Sequence, residues 1–314
     1  MTAYIIRRII LMIPVLVIVG IVVFFLIHIT PGDPAAVILG PSATKDQVVQ
    51  LRHELGLDTP IMVQFFTWFG HAVTGDLGVS IYSGNPVTHV IATHIGPTIS
   101  LTVLAFIMSI VIAIPVALLA VWKRNSFLDP TFMSISIMGV SIPNFWLALM
   151  LILLLAVKLR ILPVSGYVAI DQGVGQWLIH LLLPAFVLAV QQSALVARML
   201  RDGMLEVINQ DYIRTAWAKG LGERVVLTKH AFLNAMIPTT TVIGVGVAKL
   251  LGGAVVTEQV FVIPGVGNLL VDSIARRDFP VIQGVILFTA LIYVVVNLLV
   301  DVNYGVLDPR VRYD

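Results

Sequence analysis

Six long apolar stretches separated by polar intervals set the plan of the chain. They run over Ile9–Ile29, Ile99–Trp122, Phe132–Val157, Trp177–Ala197, Met236–Val256 and Val281–Val300. Each is near or above the about 20 residues that cross a hydrocarbon core as a helix. The pattern therefore predicts an all-α membrane protein with six transmembrane helices. The first stretch follows Arg7 and Arg8 as a signal peptide would, but its apolar run is too long for one and no A-x-A site follows. It reads as a retained anchor. No internal repeat and no low-complexity segment interrupts the pattern.

The polar intervals are unequal. The first, His28 to Thr98, has about seventy residues and is too long for a simple connection. Pro31-Gly32-Asp33-Pro34 predicts a turn as the chain leaves the membrane. Ser42 to Leu55 predicts a helix with Thr44 as N-cap, Val48, Leu51 and Leu55 on one face, and Gly56 as its stop. Pro60 to Val73 predicts a second helix carrying Phe65, Phe66, Trp68 and Phe69, ended by Gly75-Asp76-Leu77-Gly78. These aromatics suit the membrane interface, where Trp is enriched, or, the favoured reading, the interior of a small helical extracytoplasmic subdomain. The chain then divides into residues 1–97, an N-terminal transmembrane helix with this subdomain, and 98–314, a five-helix core.

The interval 198–238 is both long and basic. Arg198, Arg201, Arg214, Lys219, Arg224 and Lys229 stand against Asp202, Glu206, Asp211 and Glu223. Within it Ile213, Ala216 and Trp217 fall at i, i+3 and i+4, one face of a short helix. Lys219 and Gly220 make a helix stop. Ala216 and Gly220, four apart, leave room for a partner surface to come close to the backbone.

Composition agrees with a membrane protein: 58% of residues are hydrophobic and only 11% charged, against about 25% charged in soluble domains. With no Cys, neither disulfides nor thiolate metal sites are available. Net charge is only +2, and its distribution says more. With the N-terminus in the cytoplasm, 12 Lys and Arg fall inside and six outside. That bias predicts both termini cytoplasmic, although Lys158 and Arg160 oppose it locally.

Motifs for covalent chemistry are missing. Gly78-Val79-Ser80 and Gly139-Val140-Ser141 begin like nucleophile elbows but lack the closing Gly. His53-Glu54 is followed by Leu57 where a zincin needs His. His71, His89 and His94 share one interval, but their spacing does not converge on a metal, and they read as surface or capping residues. There is no G-x-x-x-x-G-K-[ST] to cradle ATP phosphates.

The run Asp211-Tyr212-Ile213-Arg214-Thr215-Ala216-Trp217-Ala218-Lys219-Gly220, followed by His230, Asn234-Ala235-Met236 and Pro238, resembles the coupling loop, or EAA loop, of ABC-importer permeases. It is most similar to the dipeptide, oligopeptide, nickel and glutathione branch, the dipeptide permease B-like group. Arg214, Thr215 and Ala216 stand where the general pattern has Glu-Ala-Ala, and Gly220 is in place. Phe232 and Leu233 stand where the general pattern has Leu-Pro. Pro31-Gly32-Asp33-Pro34, Leu55-Gly56-Leu57-Asp58, Gly75-Asp76-Leu77-Gly78 and Ser141-Ile142-Pro143-Asn144-Phe145-Trp146 extend the resemblance along the chain. So do Glu258, Phe261, Pro264-Gly265, Arg277-Asp278, Pro280 and Asp308-Pro309-Arg310 with Arg312.

The resemblance implies a type I ABC importer permease fold and a non-catalytic subunit in the bacterial cytoplasmic (inner) membrane. Its implied partners are a second homologous permease, two cytoplasmic ATP-binding subunits that hold ATP and Mg, an extracytoplasmic substrate-binding protein, and membrane lipid. It implies no nucleic acid and no cofactor in this chain. The cargo would be dipeptides, oligopeptides or related solutes such as glutathione, nickel chelates or sugars, moved by alternating access. For ATPase coupling it points to Arg214 and Thr215 as polar contacts, Trp217 as a buried anchor, and Ala216 with Gly220 for close approach. The rival classes are a stand-alone secondary transporter or channel and an intramembrane enzyme. The first needs intramembrane carboxylates, and here Glu258 and Asp301 fall at span ends.

The fifth stretch carries one charge. Thr240, Gly244, Ala248 and Gly252 form a ridge of small residues every four positions, which suits close helix packing. Lys249 lies on another face, with Gly246 and Gly253 at i−3 and i+4. A Lys in mid-span costs about 3 kcal/mol on insertion scales and faces a cavity or partner unless it snorkels to the headgroups. The flanking glycines favour Lys249 as a residue of the translocation pathway.

Overall fold

The computed structural model describes residues 2–29, 34–40, 43–54, 56–124 and 126–307. The proposed turn at 31–33 and the segment 308–314 lie outside them. Every described element is helical apart from turns and one isolated bridge between Val79 and Pro86. The helices are α1 (Thr2–Ile29), α2 (Pro34–Leu39), α3 (Lys45–Glu54), α4 (Ile61–Val73), α5 (Val87–Trp122), α6 (Leu128–Ser141) and α7 (Asn144–Leu151). They continue as α8 (Val174–Ile208), α9 (Asp211–Ala218), α10 (Glu223–Val225), α11 (Phe232–Phe261), α12 (Val266–Arg276) and α13 (Phe279–Leu307). A π-helical stretch, Val226–Ala231, joins α10 to α11, and another, Ile152–Lys158, extends α7.

Among the described residues five helices are long and apolar enough to cross a membrane, and the bent pair α6–α7, counted as one span, brings the number to six. That pair occupies the third stretch expected over Phe132–Val157, as two helices and not one. The chain bends by 102° between α6 and α7. Pro143 has no N–H for the helix ladder, and it drives Ile142 into an extended conformation (φ −80°, ψ 124°). Gln191 of α8 donates from Nε2 to the Ile142 carbonyl at 3.0 Å, which satisfies the backbone at the bend.

A correction concerns α8. The apolar stretch ends at Ala197, yet the helix runs on to Ile208, giving 35 residues, or about 50 Å at 1.5 Å per residue. Leu200, Met204 and Ile208 recur every four positions and are all buried, so the polar residues between them sit on an amphipathic extension. Arg201 in this extension makes a two-pronged pair with Asp129 of α6, at 2.7 and 2.6 Å.

By internal contacts the chain divides into two compact units. One comprises Met1–Ile5, Gly96–Asn268 and Val295–Asp314, the other Ile6–Ile95 and Leu269–Val294. The first is built on α8 and α11. Its core joins Leu101 and Ala105 of α5, Ala148 of α7, Leu181 to Leu188 of α8, and Leu250, Ala254 and Phe261 of α11. A second cluster packs Ala113, Ala117 and Val121 against Val196, Leu200, Met204 and the π-helical Leu227. Small residues let these helices approach closely. At Gly244 an added Cβ would lie 2.4 Å from Val300, so the expected ridge does pack there, while Gly252 faces open space.

Glu258 ties the end of α11 in the same unit. It is fully buried, although its place in the sequence puts it at a span end. Thr98 Oγ1 donates to its Oε1 at 2.6 Å, and the Asn268 N–H donates to Oε2 at 3.0 Å. The Val266 N–H in turn donates to Thr98 Oγ1 at 2.8 Å. Gly265 and Gly267 close over the carboxylate, and a Cβ on Gly265 would lie 2.3 Å from its Cδ.

In the other unit Thr44 caps α3. Its Oγ1 accepts from the Gln47 N–H, and the Gln47 amide oxygen accepts from the Thr44 N–H at 2.9 Å, a capping box. The aromatic face of α4 packs on α1 itself: Phe65 meets Phe24 edge-on at 5.4 Å, and Gly20 leaves space for the Phe69 ring. Asp278 holds the turn at 80–82, accepting from Ser80 Oγ at 2.5 Å and from the Ile81 N–H at 3.2 Å.

Candidate functional site

Two features carry the functional reading, both in the unit containing α8 and α11. The first is α9. Gln210 begins it in an extended conformation, and its carbonyl accepts from the Ile213 N–H at 3.1 Å. Ile213 and Ala216 are buried against Val226, with Val207 and Trp217 at their edge. Gly220 ends the helix in the left-handed region at φ +80°, which an L side chain resists. Its N–H donates to the Trp217 carbonyl at 2.9 Å and the Leu221 N–H to the Ala216 carbonyl at 3.3 Å. Together these make a Schellman stop.

The structure thus separates the five residues that the sequence marks for coupling. Arg214 and Thr215 lie on the outer face, with Arg214 pairing to Asp211 at 3.2 Å in solvent. Ala216 turns inward and seats α9 on its own chain. Trp217 is half-buried, packs beside the α8 cluster, and has the Arg124 guanidinium 6.0 Å over its ring. Gly220 is an exposed turn whose glycine is explained by its backbone. Tyr212, which sequence reasoning passed over, exposes 46% of its surface beside Thr215. Burial of the remainder pushes its phenol above the ordinary value. A large aromatic at i−3 from Thr215 was the signal available.

The second feature is a cavity of about 200 Å³ lined by Val140, Asn144, Leu188, Gln191, Gln192, Leu195, Lys249, Leu250 and Gly253. Lys249 is the one formal charge among those nine. Gly246, Lys249 and Gly253 share one face of α11 at i, i+3 and i+7. The space expected beside Lys249 is partly used: the Gln192 amide lies on Gly246, where a Cβ would come within 1.7 Å of Nε2. Asn144 Nδ2 lies 3.7 Å from the Cβ position of Gly253. Gln192 Nε2 and Asn144 Oδ1 are buried and have no hydrogen-bond partner among the described residues. Sequence reading assigned neither amide to a site; the signal for Gln192 was a pair of glutamines inside an apolar span, and that for Asn144 an asparagine directly after Pro143.

The comparisons with known proteins agree with this architecture. The chain belongs to the family described as binding-protein-dependent transport system inner membrane component, which matches residues 109–313. The N-terminal module of such membrane components matches residues 1–102. A protein of Sinorhizobium fredii described as a probable peptide ABC transporter permease is 45% identical over the full length of both chains. The dipeptide transport system permease DppB of Alkalihalophilus pseudofirmus and the glutathione transport system permease GsiC of Escherichia coli are 42% and 40% identical, again over the whole of each chain. A chain of the inward-facing MetNI methionine ABC transporter shares the fold with a TM-score of 0.58 at 17% identity. The match covers 70% of this chain and 97% of that one. The protein is a multi-pass inner-membrane permease component of an ABC transporter. ATP hydrolysis and solute capture belong to partner ATPase and binding-protein components. The resemblance read from the coupling loop is borne out, and the secondary-transporter and intramembrane-enzyme readings fall away.

Proposed function

We propose that this permease conducts short peptides, with a second homologous permease supplying the other half of the pathway. Full-length identity of 40–45% to permeases named for peptides, dipeptides and glutathione carries that reading. Two cytoplasmic ATPases drive it through α9, and an extracytoplasmic binding protein delivers cargo. Ile213, Ala216 and Trp217 fix α9 to its own chain, so push on its outer face passes into α8 and α11. Tyr212, Arg214 and Thr215 meet the ATPase groove, a helix-in-groove contact. Both termini are cytoplasmic, in keeping with 12 Lys and Arg inside against six outside.

Reconstitution with all partner subunits tests the reading. Thr215→Arg should leave the complex inserted but abolish peptide-stimulated ATP hydrolysis and ATPase co-purification. Unchanged co-purification and uptake would remove α9 from the interface. Single cysteines report topology, since the chain has none. Cysteine at Gly173 or Asp272 should label in intact spheroplasts, and at Asn209 only after permeabilisation.

A further inference from the structure

We propose that the cavity around Lys249 is a transmembrane subsite for the carboxylate end of a short peptide, with Lys249 taking the carboxylate and Gln192 and Asn144 the neighbouring amide. The proposal rests on the peptide reading above and adds the residues that hold the cargo in passage.

Three polar groups of different kind converge there. Lys249 supplies a cation with no ion pair among the described residues. Gln192, 5% exposed, carries a buried donor at Nε2, and Asn144 a buried acceptor at Oδ1, neither partnered among the described residues. An anion alone would answer only Lys249, and an apolar solute none of the three. The end of a peptide answers all: its carboxylate accepts from Lys249, its last amide carbonyl accepts from Gln192, and its last amide N–H donates to Asn144. The cavity, about 200 Å³, falls below the about 300–1,000 Å³ of pockets that enclose a whole drug-sized ligand. It therefore holds one end, and the rest of the cargo extends beyond Lys249, which is exposed in the single chain.

The site is also built. Gly246 and Gly253 leave the clearance in which the two amides lie, one on each side of Lys249. Gln191, next to Gln192, is spent on the Ile142 carbonyl at 3.0 Å and so fixes the bend from which Asn144 starts α7. Discontinuous spans frame substrate sites in secondary transporters, and the same physics applies to a broken span here.

The test uses the whole importer in proteoliposomes with saturating binding protein. The ligands are one tripeptide as the free acid and the same tripeptide as its C-terminal amide, and each variant is read as a ratio to wild type for each ligand. Lys249→Met should lower uptake of the acid by about tenfold, the scale of one charge-assisted hydrogen bond, and leave the amide within about twofold. Lys249→Arg should retain most acid uptake. Gln192→Met should lower both ligands together, because both carry the last amide carbonyl. Equal falls of acid and amide in Lys249→Met would overturn the subsite while leaving peptide import intact. Loss of assembly in both Lys249→Met and Lys249→Gln would make Lys249 structural and overturn the subsite in the same way. A wild-type importer that takes up neither ligand would overturn the peptide reading and the subsite with it.

Discussion

Glu258 and Lys249 stand on the same helix, α11, and their surroundings are opposite. Glu258 is fully buried, and its carboxylate accepts from Thr98 and from the Asn268 N–H. Gly265 and Gly267 press backbone against it on the remaining side. Lys249 faces a cavity, and the two amides beside it, Gln192 and Asn144, have polar atoms without partners. A charge or amide held within an apolar bundle is costly unless it is answered. At Glu258 the answer is internal and permanent, so the cluster is structural. At Lys249 it is lacking among the described residues, which leaves it to come from outside.

The largest effect separates the two residues by stability. Glu258→Ala should remove the acceptor for Thr98 Oγ1 and the Asn268 N–H at once. Each such buried, unanswered group costs about 1–3 kcal/mol, so a loss of about 3 kcal/mol or more is expected. It should appear as a sharp fall in detergent melting temperature and in yield. Lys249→Met should move neither by a measurable amount. Comparable losses in the two variants would erase the distinction.

The glycines give the next contrast. Gly265→Ala forces a Cβ to within 2.3 Å of the Glu258 carboxylate carbon, which is pinned by its hydrogen bonds. Overpacking of that kind costs about 1–3 kcal/mol. Gly246→Ala first meets the end of the Gln192 side chain, whose Nε2 has no partner among the described residues. It should cost less stability and yet lower peptide uptake more, because the amide is driven from its place. Thermal melting and uptake on the same preparations check both halves.

Much of this was legible in the chain because a membrane span must be a long apolar helix, and the stop at Gly220 and the cap at Thr44 follow from local chemistry. The third span was harder. Pro14, Pro97, Pro115, Pro184 and Pro238 all lie inside helices, whereas Pro143 stands at a 102° bend. Proline alone does not say which outcome holds; the Gln191 side chain that donates to the freed carbonyl comes from another helix. The same is true of α8. Its extension past Ala197 shows in the spacing of Leu200, Met204 and Ile208, but the Arg201–Asp129 pair joins residues 72 apart. At α9 a small residue such as Ala216 reads equally as room for a partner or as a seat on its own chain, and only packing chooses the seat. Around Lys249 the flanking glycines were visible. That Gln192 and Asn144 fill the space beside them depends on how three helices meet.

The smallest expected effect is the most discriminating. Thr98→Val and Gln192→Met each replace a buried polar side chain by an apolar one of similar size. Thr98 receives the Val266 N–H and donates to Glu258, so valine leaves a donor and an acceptor unanswered and should cost about 1–3 kcal/mol. Gln192 Nε2 donates to nothing among the described residues. Methionine keeps the unbranched shape that lies over Gly246 and removes an unpaired amide, so stability should change by no more than about 0.5 kcal/mol, or rise. Melting temperature and peptide uptake should then part company: unchanged or higher melting, lower uptake. A loss of stability in Gln192→Met as large as that in Thr98→Val would mean that the amide is already paired in the assembled importer. The donor would then be satisfied by a companion subunit, and the contrast between the two ends of α11 would close.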